Sequence, residues 1–104
     1  MLLKINSLEE YNAHKNDERV LIDFFATWCG PCRMLGPVLE EISESDSTLT
    51  ILKIDSDEFP ELAREYGVSA IPSLFFLKNG KIIHNAMGFM PKPKLEALIA
   101  EKIG

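Results

Sequence analysis

The stretch Val20 to Cys32 reads VLIDFFATWCGPC, and it carries the strongest structural and chemical signals in this chain of 104 residues. It begins with an apolar run that contains a single acid, Asp23, a pattern typical of a strand covered on both faces. The run leads through a short turn to two cysteines spaced C-x-x-C, with Gly30 and Pro31 between them. The stretch therefore predicts a strand, a turn and a thiol pair at the beginning of a helix.

The size and composition of the chain predict one folded domain over residues 1–104. Apolar residues make up 46% of the chain and charged residues 26%, as in ordinary globular proteins. The net charge is -5, and no cluster of lysines and arginines suits a phosphate backbone or an anionic membrane. No apolar run approaches the roughly 18 residues of a spanning helix, and the N-terminus lacks a signal-peptide core. We therefore expect a cytoplasmic monomer that binds neither nucleic acid nor membranes.

Hydrophobic periodicity and turn signals predict the element order βαβαβαββα. Early βαβ units predict a parallel core with helices on both faces, and a hairpin at Asn79-Gly80 adds an antiparallel edge. The expected fold class is thus α/β, with a five-stranded mixed sheet flanked by four helices. The predicted segments are strand Leu2 to Ile5, helix Ser7 to Lys15, strand Val20 to Phe25, a helix from the cysteine pair to Ile42, strand Leu49 to Asp55, helix Pro60 to Tyr66, strands Ser73 to Lys78 and Lys81 to Met87, and helix Pro93 to Ile103.

Two helices can be predicted in more detail. Ser7 caps the first helix, and the Glu10 side chain returns a hydrogen bond to the Ser7 amide. Pro37 lies inside the second helix, where it cannot donate to the carbonyl of Arg33, so we expect a kink there. The apolar face of the second helix follows the spacing i, i+4, i+7 and is widened by two neighbours: Leu35, Leu39, Ile42, Met34 and Val38.

Cys29 and Cys32 are the only cysteines, so any thiol chemistry belongs to them. A bridge across so short a loop removes little entropy from the unfolded chain, which argues against a purely stabilising role. A helix N-terminus stabilises a thiolate, so we expect Cys29 to face outward and attack a substrate disulfide. Cys32, one turn further on, is placed to resolve the mixed disulfide. Gly30 allows a close backbone turn, and Pro31 pre-sets a helical φ.

Other roles for the pair are compatible with these residues. A zinc site would need two further ligands, and the sequence has no second cysteine pair and no HxxxH, so we expect no bound metal or other cofactor. A disulfide isomerase or oxidant would use the same pair in another direction. A structural subunit of a larger assembly would not use it at all.

Asp23 is the second candidate for chemistry. An ionised carboxylate in a strand covered on both faces loses hydration, which raises its pKa and makes it a plausible proton acceptor near neutral pH. At a frayed strand end the same residue would be an ordinary hydrated acid.

The residues Trp28-Cys-Gly-Pro-Cys32, after an apolar strand and before a proline-bearing helix, resemble the active site of the thioredoxin family. WCGPC in this context is a highly specific signal, whereas C-x-x-C alone is weak. The similarity continues along essentially the whole chain, in Lys53-Ile-Asp55, Tyr66-Gly67-Val68, Ile71-Pro72-Ser73, Lys78-Asn-Gly80 and Gly88.

The resemblance implies a protein-disulfide reductase with a redox-active Cys29–Cys32 disulfide. Electrons would come from NADPH through a thioredoxin reductase and pass to disulfide-containing client proteins. Asp23, with water, would deprotonate Cys32, and Lys53 would lie nearby and modulate Asp23; otherwise Lys53 is an ordinary exposed strand lysine. The Gly30-Pro31 dipeptide favours the reductant over an isomerase or oxidant, because such relatives usually carry a different central pair.

The resemblance also implies a groove for an extended client segment, flanked by Trp28, Ile71, Pro72 and Gly88. The client would bind by backbone hydrogen bonds to Ile71, in the manner of an added strand. The Ile71-Pro72 peptide bond would be cis; a trans proline that opens a strand is the alternative.

The chain departs from the family pattern at a few positions. Phe25 stands where tryptophan is common, Ser56 where an apolar residue is usual, and Phe89-Met90 where smaller residues are common. The last pair is expected to add bulk near the groove and so to affect the choice of clients and reductases. His14 and His84 are expected on the solvated surface.

Overall fold

Five strands form a single mixed sheet with helices on both faces. The computed structural model describes residues 1–104. The predicted order of elements is confirmed, and most boundaries agree within one residue. The strands are β1 (Leu2–Lys4), β2 (Arg19–Phe25), β3 (Thr50–Asp55), β4 (Ser73–Lys78) and β5 (Lys81–Met87); the helices are α1 (Leu8–His14), α2 (Gly30–Ser45), α3 (Pro60–Glu65) and α4 (Lys92–Ile103).

The strand order across the sheet is β1-β3-β2-β4-β5, so β2 is the central strand. β1, β3 and β2 run parallel, whereas β4 is antiparallel to both β2 and β5. The register places Asp23 between Lys53 of β3 and Leu74 of β4. Because strands cover both edges of β2 and helices cover both faces, the backbone that leads to the cysteines is held on every side.

Alternation along the strands divides the core into two clusters, one on each face of the sheet. One cluster holds Leu21 and Ile51 against the buried residues of α2 and α4. The other holds Ile22 and Phe24 against α1 and α3. Asp23, two residues from Leu21, therefore projects from the face that α2 covers, which is the side of the cysteine pair.

The capping of α1 differs from the prediction in one bond. Ser7 Oγ accepts from the Glu10 amide at 3.2 Å, as expected of an N-cap. The Glu10 carboxylate, however, accepts from the amide of Asn6 at 2.6 Å rather than from that of Ser7. The carboxylate reaches one residue further up the extended segment that precedes the helix, so the reciprocal bond exists with a different donor.

The predicted apolar face of α2 is too wide. Leu35, Leu39 and Ile42 are buried as expected, but Met34 is 60% exposed. Met34 lies about 100° around the helix from Leu35 and so points away from the sheet. α2 continues through Pro37 to Ser45 without ending, and the kink at that proline stays a prediction.

The turns follow the glycine signals of the sequence. Asn79 and Gly80 both have positive φ, 50° and 81°, and join β4 to β5 in the predicted hairpin. His14 and His84 lie at the surface as expected, although each is half-buried. His14 contacts Asp17 with Nδ1 3.1 Å from Oδ2, and the His84 ring packs 5.4 Å from the Phe76 ring. None of the four helices combines the length and apolar character needed to cross a membrane.

Candidate active site

The two cysteines lie where the chain leaves the central strand β2 and enters α2. Ala26 to Cys29 form a turn closed by the Cys29 amide, which donates to the Ala26 carbonyl at 3.2 Å. Cys29 is the N-cap of α2 and has an extended backbone, and Gly30 and Pro31 begin the helix. Proline is tolerated in the first turn because the amide it lacks would have had no partner within the helix. The local sequence therefore places the first sulfur at the positive end of a sixteen-residue helix.

Cys29 and Cys32 are joined by a disulfide, with their Cα atoms 5.3 Å apart. The backbone amide of Cys32 donates to Cys29 Sγ at 3.2 Å. An amide aimed at this sulfur would stabilise a negative charge there once the bond is reduced. The pair is thus in position for reversible oxidation, and only one of its sulfurs receives an amide from the first turn.

The expectation that Cys29 faces outward is wrong for this oxidised form. Cys29 is 5% exposed and Cys32 4% exposed, so the two are covered almost equally. They form a small apolar cluster with Phe25 and Ala26, and Ile71 packs against it. Ile71, from a distant segment of the chain, therefore helps to cover the cysteine pair.

Three residues from distant segments form a wall beside Cys29. The Ile71-Pro72 peptide bond is cis, as the resemblance implied. The Ile71 carbonyl oxygen lies 3.9 Å from Cys29 Sγ, and the Gly88 amide donates to the Pro72 carbonyl at 2.9 Å. Gly88 has φ of 90°, a conformation that favours glycine. The fold therefore brings Ile71, Pro72 and Gly88 together at the disulfide.

Trp28 is 69% exposed, which agrees with its expected place on a surface next to the disulfide. Its Nε1 donates to Asp57 Oδ2 at 2.9 Å. Asp57 was not singled out from the sequence, although a usable signal exists. β2 and β3 are parallel neighbours, so the residues just beyond their carboxyl ends meet at one edge of the sheet.

Asp23 is completely buried, and neither of its carboxylate oxygens has a hydrogen-bond partner. Burial is the main influence on this group and raises the pKa of Asp23 from 3.8 to about 7; the positive charge of Lys53 acts in the opposite direction. A hydrated acid at a frayed strand end is therefore ruled out. Asp23 is instead an acid that can exchange a proton near neutral pH.

Lys53 lies opposite Asp23 in the register between β2 and β3. Its Nζ lies 4.9 Å from the centroid of the Phe25 ring and forms no ion pair with a carboxylate. Lys53 is half-buried, so it is not an ordinary exposed strand lysine. Its position permits an electrostatic influence on Asp23 without a salt bridge.

The departures from the family pattern have different outcomes in the structure. Met90 is only 4% exposed and belongs to the core between α2 and α4, so the expectation that it adds bulk near the groove is wrong. Phe89 is 39% exposed and is the one member of that pair with substantial surface. The Ser56 hydroxyl is buried without a hydrogen-bond partner. Its backbone amide donates to the Phe25 carbonyl at 2.8 Å.

The site has no ligand set for a metal. No group of three or more His, Cys, Asp or Glu side chains in the protein could hold a metal ion. The zinc alternative for Cys29 and Cys32 therefore lacks the further ligands that it requires. What the residues do provide is a thiol pair at a helix start, a buried acid on the same face of the sheet, and a backbone wall beside the first sulfur.

Comparisons with known proteins agree with this geometry. The Thioredoxin family model matches residues 3–101. A thioredoxin from Bacillus subtilis (strain 168) is 46% identical over 92 residues, which cover 88% of each chain. A thioredoxin from Chlamydia caviae is 44% identical over 98 residues, covering 94% of this chain and 96% of its own. The crystal structure of a thioredoxin from Nicotiana alata superposes with a TM-score of 0.90 at 33% identity, covering 99% of this chain and 93% of the other.

Proposed function

The chain belongs to the thioredoxin family, and we propose a separate role for each residue of its disulfide-exchange site. Members of this family are protein-disulfide oxidoreductases, and the Cys29–Cys32 disulfide is the redox-active group of this one. Its substrates are disulfides in client proteins. The observation that carries the proposed roles is the unequal placement of the two sulfurs. Cys29 is the N-cap of α2, and its sulfur lies near the carbonyl oxygen of Ile71. Cys32 lies inside the first turn of the helix.

In the first step, the thiolate of reduced Cys29 attacks one sulfur of a client disulfide. The client S–S bond breaks, a bond between Cys29 and the client forms, and the second client sulfur leaves as a thiolate that takes up a proton. Two features support Cys29 as the attacking residue: the Cys32 amide directed at its sulfur and the positive end of α2 beside it.

In the second step, Cys32 loses its proton to Asp23 through a bridging water and attacks Cys29. The bond between Cys29 and the client breaks, the Cys29–Cys32 disulfide forms, and the client leaves with two added electrons. A pKa of about 7 suits Asp23 to accept this proton, because it is close to the pH at which the proton must move. Lys53 favours the ionised form of Asp23 and so modulates the step.

The client segment binds as an extended chain beside the disulfide. Ile71 offers backbone groups next to Cys29, and Gly88, whose amide donates to the Pro72 carbonyl, has no side chain that could obstruct the client. Trp28 supplies an exposed aromatic surface on the neighbouring turn. Backbone pairing of this kind tolerates many client sequences.

The regenerating donor is proposed to be a thioredoxin reductase that passes electrons from NADPH to the disulfide. We place the protein in the cytoplasm, where such a donor keeps thiols reduced, and propose that it acts as a monomer built from one domain. Sedimentation of the oxidised protein tests the monomer, and fractionation of the source cells tests the compartment.

The central experiment is insulin-disulfide reduction driven by NADPH and a thioredoxin reductase. Wild type should turn over, whereas Cys29→Ser, Cys32→Ser and the double variant should not. Cys32→Ser should trap client proteins as mixed disulfides, and the matched Cys29→Ser variant should trap none. Equal trapping by the two single variants would refute the assignment of nucleophile and resolving residue. Retention of partner function by the double variant would point to a structural role.

A further inference from the structure

A cleft of about 350 Å³ lies beside the turn of α2 that carries Cys32. Its lining comes from the end of β2, from α2, and from Lys53 on β3. Trp28, Cys29 and Ile71 contribute nothing to it. Cys32 and Lys53, which take part in the proposed exchange, also line the cleft, but the surface proposed to hold the client lies elsewhere. The roles proposed for exchange do not account for Arg33 or for the open space beside Gly36.

Both charged side chains in the lining of the cleft are cations. Arg33 and Lys53 have no carboxylate within 4.0 Å and no hydrogen-bond partner for their side chains. The acid that Lys53 influences, Asp23, is buried in the sheet and does not line the cleft. Since the chain as a whole carries a net charge of -5, two cations without partners in one concave site are a local exception. Their charge is complementary to an anion.

The rest of the cleft is mostly apolar, with Phe25 and Ala26 on one side. Gly36, one turn beyond Cys32, lines it from the helix. A Cβ atom built on Gly36 would meet no atom within 4 Å, so the glycine leaves open space rather than relieving a clash. Glycine is unfavourable inside a helix. Its effect here is to keep room beside the cations for an apolar group.

We propose that this cleft binds small organic anions, with a carboxylate held by Arg33 and Lys53 and an apolar body against Phe25 and Gly36. Guanidinium and ammonium groups both bind carboxylates, and Lys53 can still donate from above the Phe25 ring. The volume falls at the lower end of the range for ligand sites, roughly 300 to 1,000 Å³, which suits one or two fused rings. Because Arg33 is exposed and the ligand is small, we expect a Kd on the order of 1 mM.

The test is an NMR titration of the oxidised, ¹⁵N-labelled protein with 2-naphthoate. Saturable shifts are expected at the amides of Phe25, Arg33 and Gly36. The neutral analogue 2-naphthalenemethanol should bind at least about tenfold more weakly, because it lacks the charge. Inorganic phosphate should also bind more weakly, because it lacks the apolar body.

Two variants test separately the cationic side of the cleft and the side that holds the apolar group. Arg33→Gln changes an exposed side chain, so it should keep the fold while raising the Kd several-fold. Gly36→Leu should raise the Kd by filling the cleft. The matched control Arg64→Gln removes an exposed arginine from α3, away from the cleft, and should leave the Kd unchanged.

Three outcomes would overturn the proposal: no saturable shift up to about 20 mM, well above the expected Kd; equal affinity for the neutral alcohol; or shifts centred on Trp28 and Gly88 instead of the cleft. The titration uses no client and no reductase. Its result is therefore independent of the proposed roles of the cysteines in exchange.

Discussion

Replacing Asp23 with asparagine should make the oxidised protein more stable, and more so as the pH rises. The pKa of Asp23 is about 7 in the folded protein, against an ordinary value of 3.8. Between these values the folded protein holds a proton that the unfolded chain has released. Wild type therefore loses stability as the pH rises through this window, and the full loss is present above pH 7. Asparagine has nearly the same shape and never ionises, so the variant avoids the loss.

The size of the effect follows from the difference between the two pKa values. Each pH unit of difference corresponds to about 1.36 kcal/mol, so the variant should gain about 4 kcal/mol at pH 9. pH 5 lies only part of the way from the ordinary pKa of 3.8 to the folded-state pKa of about 7. The gain in stability at pH 5 should therefore be about 2 kcal/mol. Near pH 3 both states of wild type are protonated, and the gain should vanish.

The assay is urea unfolding of the oxidised wild type and Asp23→Asn at pH 3, 5 and 9, which keeps thiol titration out of the comparison. Asp55→Asn is a matched control at the end of the neighbouring strand. Asp55 is also buried, but its carboxylate accepts from the Asp57 amide at 2.8 Å. Because this substitution weakens a hydrogen bond to a charged acceptor, it should lower the stability or leave it unchanged.

The reasoning would be refuted if the gain of Asp23→Asn were the same at pH 5 and pH 9, since a packing effect does not depend on pH. A loss of stability at pH 9 would refute it more directly. Either result would mean that the folded protein solvates the Asp23 charge in a way that its buried position does not indicate.

Three further predictions concern kinetics, fluorescence and the end of the molecule distant from the cysteines. Asp23→Asn should slow release of a client from the mixed disulfide at pH 8 by about 10²-fold or more, followed by quenched flow, and wild type should itself slow as the pH falls below 7. Reduction by dithiothreitol should markedly change the fluorescence of Trp28, the only tryptophan, which adjoins the disulfide. Arg19→Ala should lower the stability by about 2 to 3 kcal/mol in urea unfolding, because Arg19 bonds both Asp46 and the last helical carbonyl of α4. Burial raises the pKa of Asp46, but hydrogen bonds from Arg19 and Thr48 hold it below 3.8, so this difference should shrink as the pH falls below that value.

Each of these predictions has an outcome that would contradict it, and two of them have a matched control variant. An unchanged release rate in Asp23→Asn would mean that another group takes the proton. Cys32→Ser cannot form the disulfide, so dithiothreitol should leave its fluorescence unchanged; an equally unchanged wild type would contradict the geometry around Trp28. Arg33→Ala removes an arginine whose side chain forms no hydrogen bond, and it should cost less than about 0.5 kcal/mol. An equal loss in Arg19→Ala would show that its bonds do not contribute.

Local signals predicted most of the fold because they act within a few residues. The apolar run of β2 and the turn signal at Asn79-Gly80 specify backbone conformations that depend little on distant contacts. The same holds for the helix start at Cys29, which Pro31 and the preceding turn define. Met34 was misplaced for the complementary reason. Hydrophobicity indicates that a side chain can be buried, but only the packing of α2 on the sheet decides how wide the buried face is.

The amino-acid sequence alone thus determined the order of the elements, the position of the thiol pair at a helix start, and an acid on the central strand. The tertiary structure decided how deeply those groups are buried and which distant residues they contact. Asp23 has a raised pKa because two neighbouring strands and a helix bury its carboxylate, and Cys29 is covered by Ile71, 42 residues away. Desolvation and contact across such separations depend on where the whole chain packs, which no local pattern of residues contains.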